Sequence, residues 1–235
     1  VVRLSLLLLT VTLLFLPGVV SRPNKLEVYV TILTVLGVIA TGITAMVVSS
    51  SAFTTEREKH SLDVLLASPV SGGAIVLAKF AGILKTLVPI LACVAAWGGI
   101  YLYCSSGNNR SHGYIEAVPN IVMTIVSVVP LIVTIGLYAS AKRRKTASAL
   151  LQTFLICLAW SLISPLIVFI FETRNWGVSS DIKEALLNLS PIVAFFFAMV
   201  EASDYNAYIP PLFIPVWLFL LFRLIRRFDR IVGRM

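Results

Sequence analysis

An all-α, polytopic membrane fold is what this sequence predicts, and three observations predict it. Of its 235 residues 58% are hydrophobic and only 13% charged, with a mean hydropathy of +0.95; a soluble domain is nearer half apolar and a quarter charged. The apolar residues gather into runs long enough to cross a bilayer, which takes about 20 residues with few charges. The basic residues fall unequally on the two sides of these runs. The net charge of +8 would point to nucleic acid in a soluble protein. Here the cations flank apolar spans, so membrane lipids are the expected partner and nucleic acid is not.

Taken in order, six spans are expected near Leu4–Val20, Val28–Ser50, Phe80–Cys104, Ala117–Ala141, Ala147–Phe171 and Ile209–Arg226. The first resembles a secretory signal peptide. No small-x-small cleavage site follows it, however, and Ser21-Arg22-Pro23 suits processing poorly, so an anchor is expected. A further apolar stretch, Ala185–Val200, is short, broken by Pro191 and flanked by Glu184 and Glu201. Basic residues decide its status. With six spans, 14 of the 19 lysines and arginines lie on one side, including Lys142-Arg143-Arg144-Lys145 and the tail arginines. Five lie on the other. Positive residues accumulate in the cytoplasm, so both termini are read as cytoplasmic, in the cell membrane. A seventh span would send the arginine-rich tail outside. Residues 181–204 are therefore expected to form an external re-entrant hairpin, with its break at Ser190-Pro191 and with Phe195, Phe196 and Phe197 on its second helix.

The sequence offers little catalytic chemistry. Cys93, Cys104 and Cys157 form no CxxC pair and read as small hydrophobes without a disulfide or metal role. His60 and His112 lie outside the spans, and no HExxH or GxSxG occurs. A phosphate-binding GxxxxGK(S/T) loop is also missing: Gly72 and Lys79 are too far apart, and no Ser or Thr follows the lysine. No catalytic, metal or cofactor-binding residue is expected in this chain. Ion-coupled carriers usually hold ionisable residues in the bilayer. Here only Lys85 lies clearly within a run, near its cytoplasmic end, where it can snorkel. Gly37, Ala40, Gly42 and Ala45 would let the second span pack closely against another helix.

The densest polar interruption is Glu56–Pro69, EREKHSLDVLLASP. Thr54 or Thr55 is placed to cap a helix, with Glu56 and Glu58 in its first turn, near the positive end of the dipole. Leu62, Leu65 and Leu66 then share one face, and Asp63 turns away. Pro69 ends the helix, Ser71-Gly72-Gly73 forms a turn, and a second apolar helix starts near Ala74. The product is an amphipathic helix over about 54–69, lying at the cytoplasmic surface. Spacing alone leaves open whether it merely anchors a loop.

The stretch TTEREKHSLDVLLASPVSGGAIVLAKF resembles the signature between the second and third spans of type 2 ATP-binding-cassette (ABC) exporter permeases. Glu56, Arg57, Ser61, Leu62, Asp63, Leu65, Leu66, Ser68, Pro69, Ser71 and Lys79 fit that pattern. His60-Ser61 stands where Gly-Thr is commoner, and Ala78 replaces the usual glycine. Six spans, a basic connection before the fifth and an external hairpin before the sixth match the same family. The resemblance implies a coupling helix that docks into a groove of a separate nucleotide-binding subunit. Its leucine face would seat there, with Glu56, Arg57 and Glu58 fixing register through charge-assisted hydrogen bonds and Gly72-Gly73 serving as a hinge. ATP and Mg would be bound by that partner, and a second permease copy or paralogue would complete the translocator. The hairpin would cap the exit route.

Two other classes compete with an exporter permease: a membrane scaffold without a transport path, and an ion-coupled carrier. On the surface-helix reading, Glu56 and Arg57 matter little for stability, since an exposed ion pair contributes about 0–1 kcal/mol. The six-span topology has its own test. In a background without native cysteines, Cys at Ser61 or Thr146 should resist impermeant thiol reagents in intact cells, and Cys at Asn108 or Ser179 should react. Labelling of position 61 from outside would overturn it.

Overall fold

The computed structural model describes residues 23–59, 61, 70–105, 112–174, 179 and 213–232. Among these residues the fold is all-helical, without a strand: α1 (Pro23–Ser51), α2 (Thr54–Glu58), α3 (Gly72–Ser105), α4 (His112–Lys142), α5 (Thr146–Thr173) and α6 (Phe213–Val232). Apolar runs of this length form helices in a bilayer because every backbone N–H and C=O must be satisfied inside its own segment. Four stretches are long and apolar enough to cross a membrane: Leu36–Glu58, Gly72–Ala96, Ile125–Lys142 and Thr146–Phe171. They match the second to fifth expected spans. The expected sixth falls on α6, a helix richer in arginine that is not one of these four. The expected first span and the hairpin at 181–204, with Ser190, Pro191, Phe195, Phe196 and Phe197, lie outside the described residues.

One boundary differs from expectation. The segment from Ala74 to Lys79 is not a separate helix before the third span; α3 runs unbroken from Gly72 to Ser105. Nothing between Gly73 and Pro89 breaks a helix, and each added residue gains a hydrogen bond once the first turn exists. Gly72 and Gly73 make that first turn. A Cβ on Gly73 would lie 3.0 Å from Ile225 Cγ2, so this glycine also lets α6 pack against the start of α3.

Side-chain contacts fix the helix directions. Ser49 of α1 meets Gly136 of α4, and four residues further along both helices Phe53 meets Ser140. The two helices therefore run parallel. Phe80 stacks on Trp217 at 5.9 Å between ring centres, while Gly73 meets Ile225, so α3 and α6 run antiparallel. Phe228 of α6 sits 5.0 Å from Phe53, and Phe213 meets the edge of Trp160 on α5 at 5.1 Å. The core between these helices contains Phe53, Leu87, Val133, Leu137, Leu224 and Phe228, all fully buried.

The α1–α4 crossing is the closest of these approaches. A Cβ on Gly136 would overlap the Ser49 side chain and lie 3.2 Å from the Ser50 backbone nitrogen. Small residues at such crossings let backbones approach in a medium that gives helices no hydrophobic drive to associate. Of the small residues expected to do this on α1, Ala45 is buried, but Gly42 has nothing within 4 Å. The glycine that α1 needs is on α4. Hydroxyls buried here bond back to their own helix: Thr41 to Gly37 O and Thr134 to Pro130 O, both at 2.7 Å.

Gly136→Val should therefore lower thermal stability in detergent by the equivalent of about 1–3 kcal/mol, the usual cost of overpacking. Gly136→Ala should cost less and be partly rescued by Ser49→Gly. Gly42→Ala should be neutral or slightly stabilising, by up to about 1 kcal/mol. Equal effects of alanine at positions 42 and 136 would refute the crossing as described.

Candidate functional site

The one-turn helix α2 is built differently from the capped amphipathic helix expected over 54–69. Phe53 occupies its N-cap position and makes no side-chain cap. The Thr54 hydroxyl instead donates to Ser50 O at 3.0 Å, back along α1. The open N–H groups of Phe53 and Thr54 both donate to Ser140 Oγ, at 2.8 and 3.1 Å. A hydroxyl from a distant helix thus supplies what a local cap normally supplies. After Glu58 the backbone leaves helical geometry at Lys59, with φ −88° and ψ 3°. Ser61 then folds back, its N–H donating to Glu56 O at 3.0 Å.

Three consecutive side chains reach from α2 to three other helices. Glu56 pairs with Lys79 of α3. Arg57 donates to Arg143 O at 2.9 Å and to Ala141 O at 3.2 Å, closing carbonyls that the end of α4 leaves without partners. A cation also suits the negative end of that helix. Glu58 Oε1 accepts the Thr146 backbone N–H at 2.8 Å, so a carboxylate sits on the positive end of α5. The Thr146 hydroxyl lies 3.0 Å from both Glu58 Oε1 and Thr54 Oγ1, and its single proton serves one of them at a time. Arg143 completes the turn by donating from Nε to Gln152 Oε1 at 2.7 Å.

These contacts change the energetic reading of the charged triplet. The side chains of Glu56 and Lys79 are 28% and 29% exposed, and Glu56 Oε2 is buried with no hydrogen-bond partner among the described residues. The expectation of freely solvated charges with little structural role does not describe this arrangement. Hydrogen bonds to charged groups contribute about 1.5–3 kcal/mol when desolvated, less where water competes. Glu58 is held below the ordinary glutamate range, first by the Thr146 N–H, then by the Thr146 hydroxyl, with Lys145 adding to the effect.

Glu56, Arg57, Glu58 and Ser61 are thus brought together at the ends of α3, α4 and α5. Leu62, Asp63, Leu65, Leu66, Ser68 and Pro69 lie outside the described residues. Sequence reasoning missed Ser140, Arg143 and Thr146. The faint signal was a hydroxyl on each side of the basic turn, at the end of one apolar run and the start of the next. Among the described residues no cluster of His, Cys, Asp or Glu is arranged to hold a metal ion.

A family model, ABC-2 family transporter protein, matches residues 5–222. The chain belongs to the ABC-2 transporter family. No curated protein matches it significantly. As an ABC-2 permease the chain is a membrane component of a transporter, of a kind that generally pairs with an ATP-binding subunit and is generally non-catalytic. Its α2 segment follows the first long helix described and is held at one end of the bundle.

The Glu58 contact gives a pH signature with a definite sign. A carboxylate whose folded pKa is lowered stabilises the protein fully above its unfolded pKa, and the contribution is lost as pH falls through the folded value. The thermal stability of wild type should exceed that of Glu58→Gln at neutral pH. The gap should close as pH drops below the ordinary glutamate range. A gap that stays constant through that range would show that the carboxylate charge is not what Thr146 holds.

Proposed function

We propose that this permease is a six-span subunit that forms one half of an ATP-driven exporter in the cell membrane, with both termini cytoplasmic. On this reading α2 begins a coupling segment on which a separate nucleotide-binding subunit acts. The observation that carries it is the triplet Glu56-Arg57-Glu58, which binds a single helical turn to α3, α4 and α5 at once. A push on a loop joined only to its own flanking spans would be absorbed locally. A push on this turn reaches three helices through short polar contacts. Transport needs two states with different contacts, and a segment so tied moves those helices together.

The parts then take distinct roles. Leu62, Leu65 and Leu66 form the face that seats in the ATPase, while Glu56, Arg57 and Glu58 hold the segment to the bundle. Asp63, Ser68 and Pro69 complete the docking segment. ATP and Mg are bound and turned over by the partner, consistent with the lack of a phosphate-binding loop in this chain. A second copy or a paralogue supplies the other half of the path. The segment 181–204 caps the external side, where Phe195, Phe196 and Phe197 keep water from an apolar exit.

Two variants separate holding from docking. Leu65→Asp should abolish co-purification of the ATPase, since an unpaired carboxylate buried in an apolar docked face carries a large desolvation cost. Arg57→Ala should leave that assembly intact and lower thermal stability by about 1–2 kcal/mol. Export should nonetheless fall sharply, and ATP hydrolysis should no longer respond to substrate. Wild-type export in both variants would sink the proposal. A wild-type chain that brings down no ATPase at all would favour a membrane scaffold.

A further inference from the structure

The last helix carries a feature that coupling does not use. Arg223, Arg226, Arg227 and Arg230 are all exposed on α6, while Leu221, Leu224 and Phe228 on its other side are buried against the bundle. The spacing of three, four and seven residues puts the four arginines on one face. That face does not begin with them. One to two turns earlier it is formed by Val216, Phe219 and Phe222, which are 46%, 60% and 51% exposed.

A membrane helix face this apolar and this exposed looks onto lipid tails. At about 1.5 Å of rise per residue, Phe219 and Arg226 are about 10 Å apart along the axis, the step from acyl chains to headgroups. The guanidinium carbon of Arg226 sits 4.5 Å over the Phe222 ring, which joins the apolar and cationic parts of the face. Among the residues whose side chains are described, no carboxylate lies within ion-pair distance of any of the four arginines. Asp229 is the only acidic residue in the α6 sequence.

We infer that this face is a binding site for anionic phospholipid headgroups in the leaflet where α6 ends. Guanidinium forks match phosphate oxygens in pairs. A row of four, continuous with a tail-contacting surface, presents an anionic lipid with a place for each of its ends. A zwitterionic lipid offers the same phosphate, but its ammonium group cancels the net charge, so it gains less from the arginine row. A soluble acidic protein would meet the arginines but not the phenylalanines above them, which makes lipid the better fit.

The test uses the full chain reconstituted in phosphatidylcholine vesicles containing a trace of spin-labelled phosphatidylglycerol or spin-labelled phosphatidylcholine. The motionally restricted fraction of each label gives their relative affinity for the protein. Wild type should favour phosphatidylglycerol by at least about fivefold at low salt, the attraction of one basic residue to an anionic surface. The preference should decline as salt is raised. R223Q/R226Q/R227Q/R230Q should bring it near unity, and the doubles R223Q/R227Q and R226Q/R230Q should fall between. K142Q/R144Q removes two cations from the same end but off this apolar face, and should change it less than twofold.

A wild-type preference near unity at low salt overturns the inference, whatever the variants do. So does a wild-type preference that survives in both doubles. If the doubles instead lose the ATPase while keeping the lipid preference, the stripe is a protein contact and the inference is wrong.

Discussion

The packing of this bundle depends on one missing side chain. Helices α1 and α4 run parallel and meet at Ser49 and Gly136, where any Cβ on residue 136 would occupy the serine's place. Because the backbones come so close there, the next turn of each helix is also in reach. Ser140, four residues beyond Gly136, then accepts the N–H groups of Phe53 and Thr54, four residues beyond Ser49. The start of α2 is thereby set by the crossing rather than by its own sequence. Once α2 is placed, its three charged side chains fall against the ends of α3, α4 and α5.

The charges at that junction are arranged by helix ends as much as by ion pairing. Arg57 meets the carbonyl end of α4 and Glu58 the amide end of α5, so each helix dipole finds an opposite charge from the same short turn. Glu56 and Lys79 supply the one ion pair among the described residues. The second oxygen of Glu56 has no hydrogen-bond partner there, an unmet acceptor that its lysine partner partly offsets. Polar contacts of this kind are short and directional, unlike the leucine and valine contacts of the core.

The spans were legible in the sequence because the bilayer sets a length and apolar runs of that length stand out. The ends were legible only where a breaker marks them. Pro23 is the first residue of α1, a position that suits proline, although the span was expected from Val28; nothing marked position 80, and α3 simply continues through it. The charged triplet was visible as a motif, and its resemblance to a permease signature led to the right family. Its partners were not visible. Ser140, Arg143 and Thr146 lie more than 80 residues from α2, and both acceptors described for Arg57 are backbone carbonyls that any residue would provide. Gly42 was expected at a close crossing and Gly136 was not, for the same reason: composition shows that a small residue is present, and only the fold decides which one a neighbour approaches.

The distribution of burial explains why amphipathic patterns were a weak guide within the spans. In a soluble protein the most apolar helix would be the most enclosed. Here α5, the most apolar of the four spans, is only 18% buried over its apolar stretch, while α4 is 67% buried. The exposed residues of α5 include Leu155, Leu162, Leu166 and Phe169, large side chains that meet lipid without cost. All the buried polar residues among those described are serines and threonines, nine in number. A hydroxyl can return its proton to its own helix, so it can sit inside a bilayer where a carboxylate or an ammonium needs a partner. The interior is thus closely packed and mildly polar, the outside is greasy, and ionised groups collect at the helix ends. That separation leaves charge at α2, where it ties helices together, and on the exposed arginine face of α6.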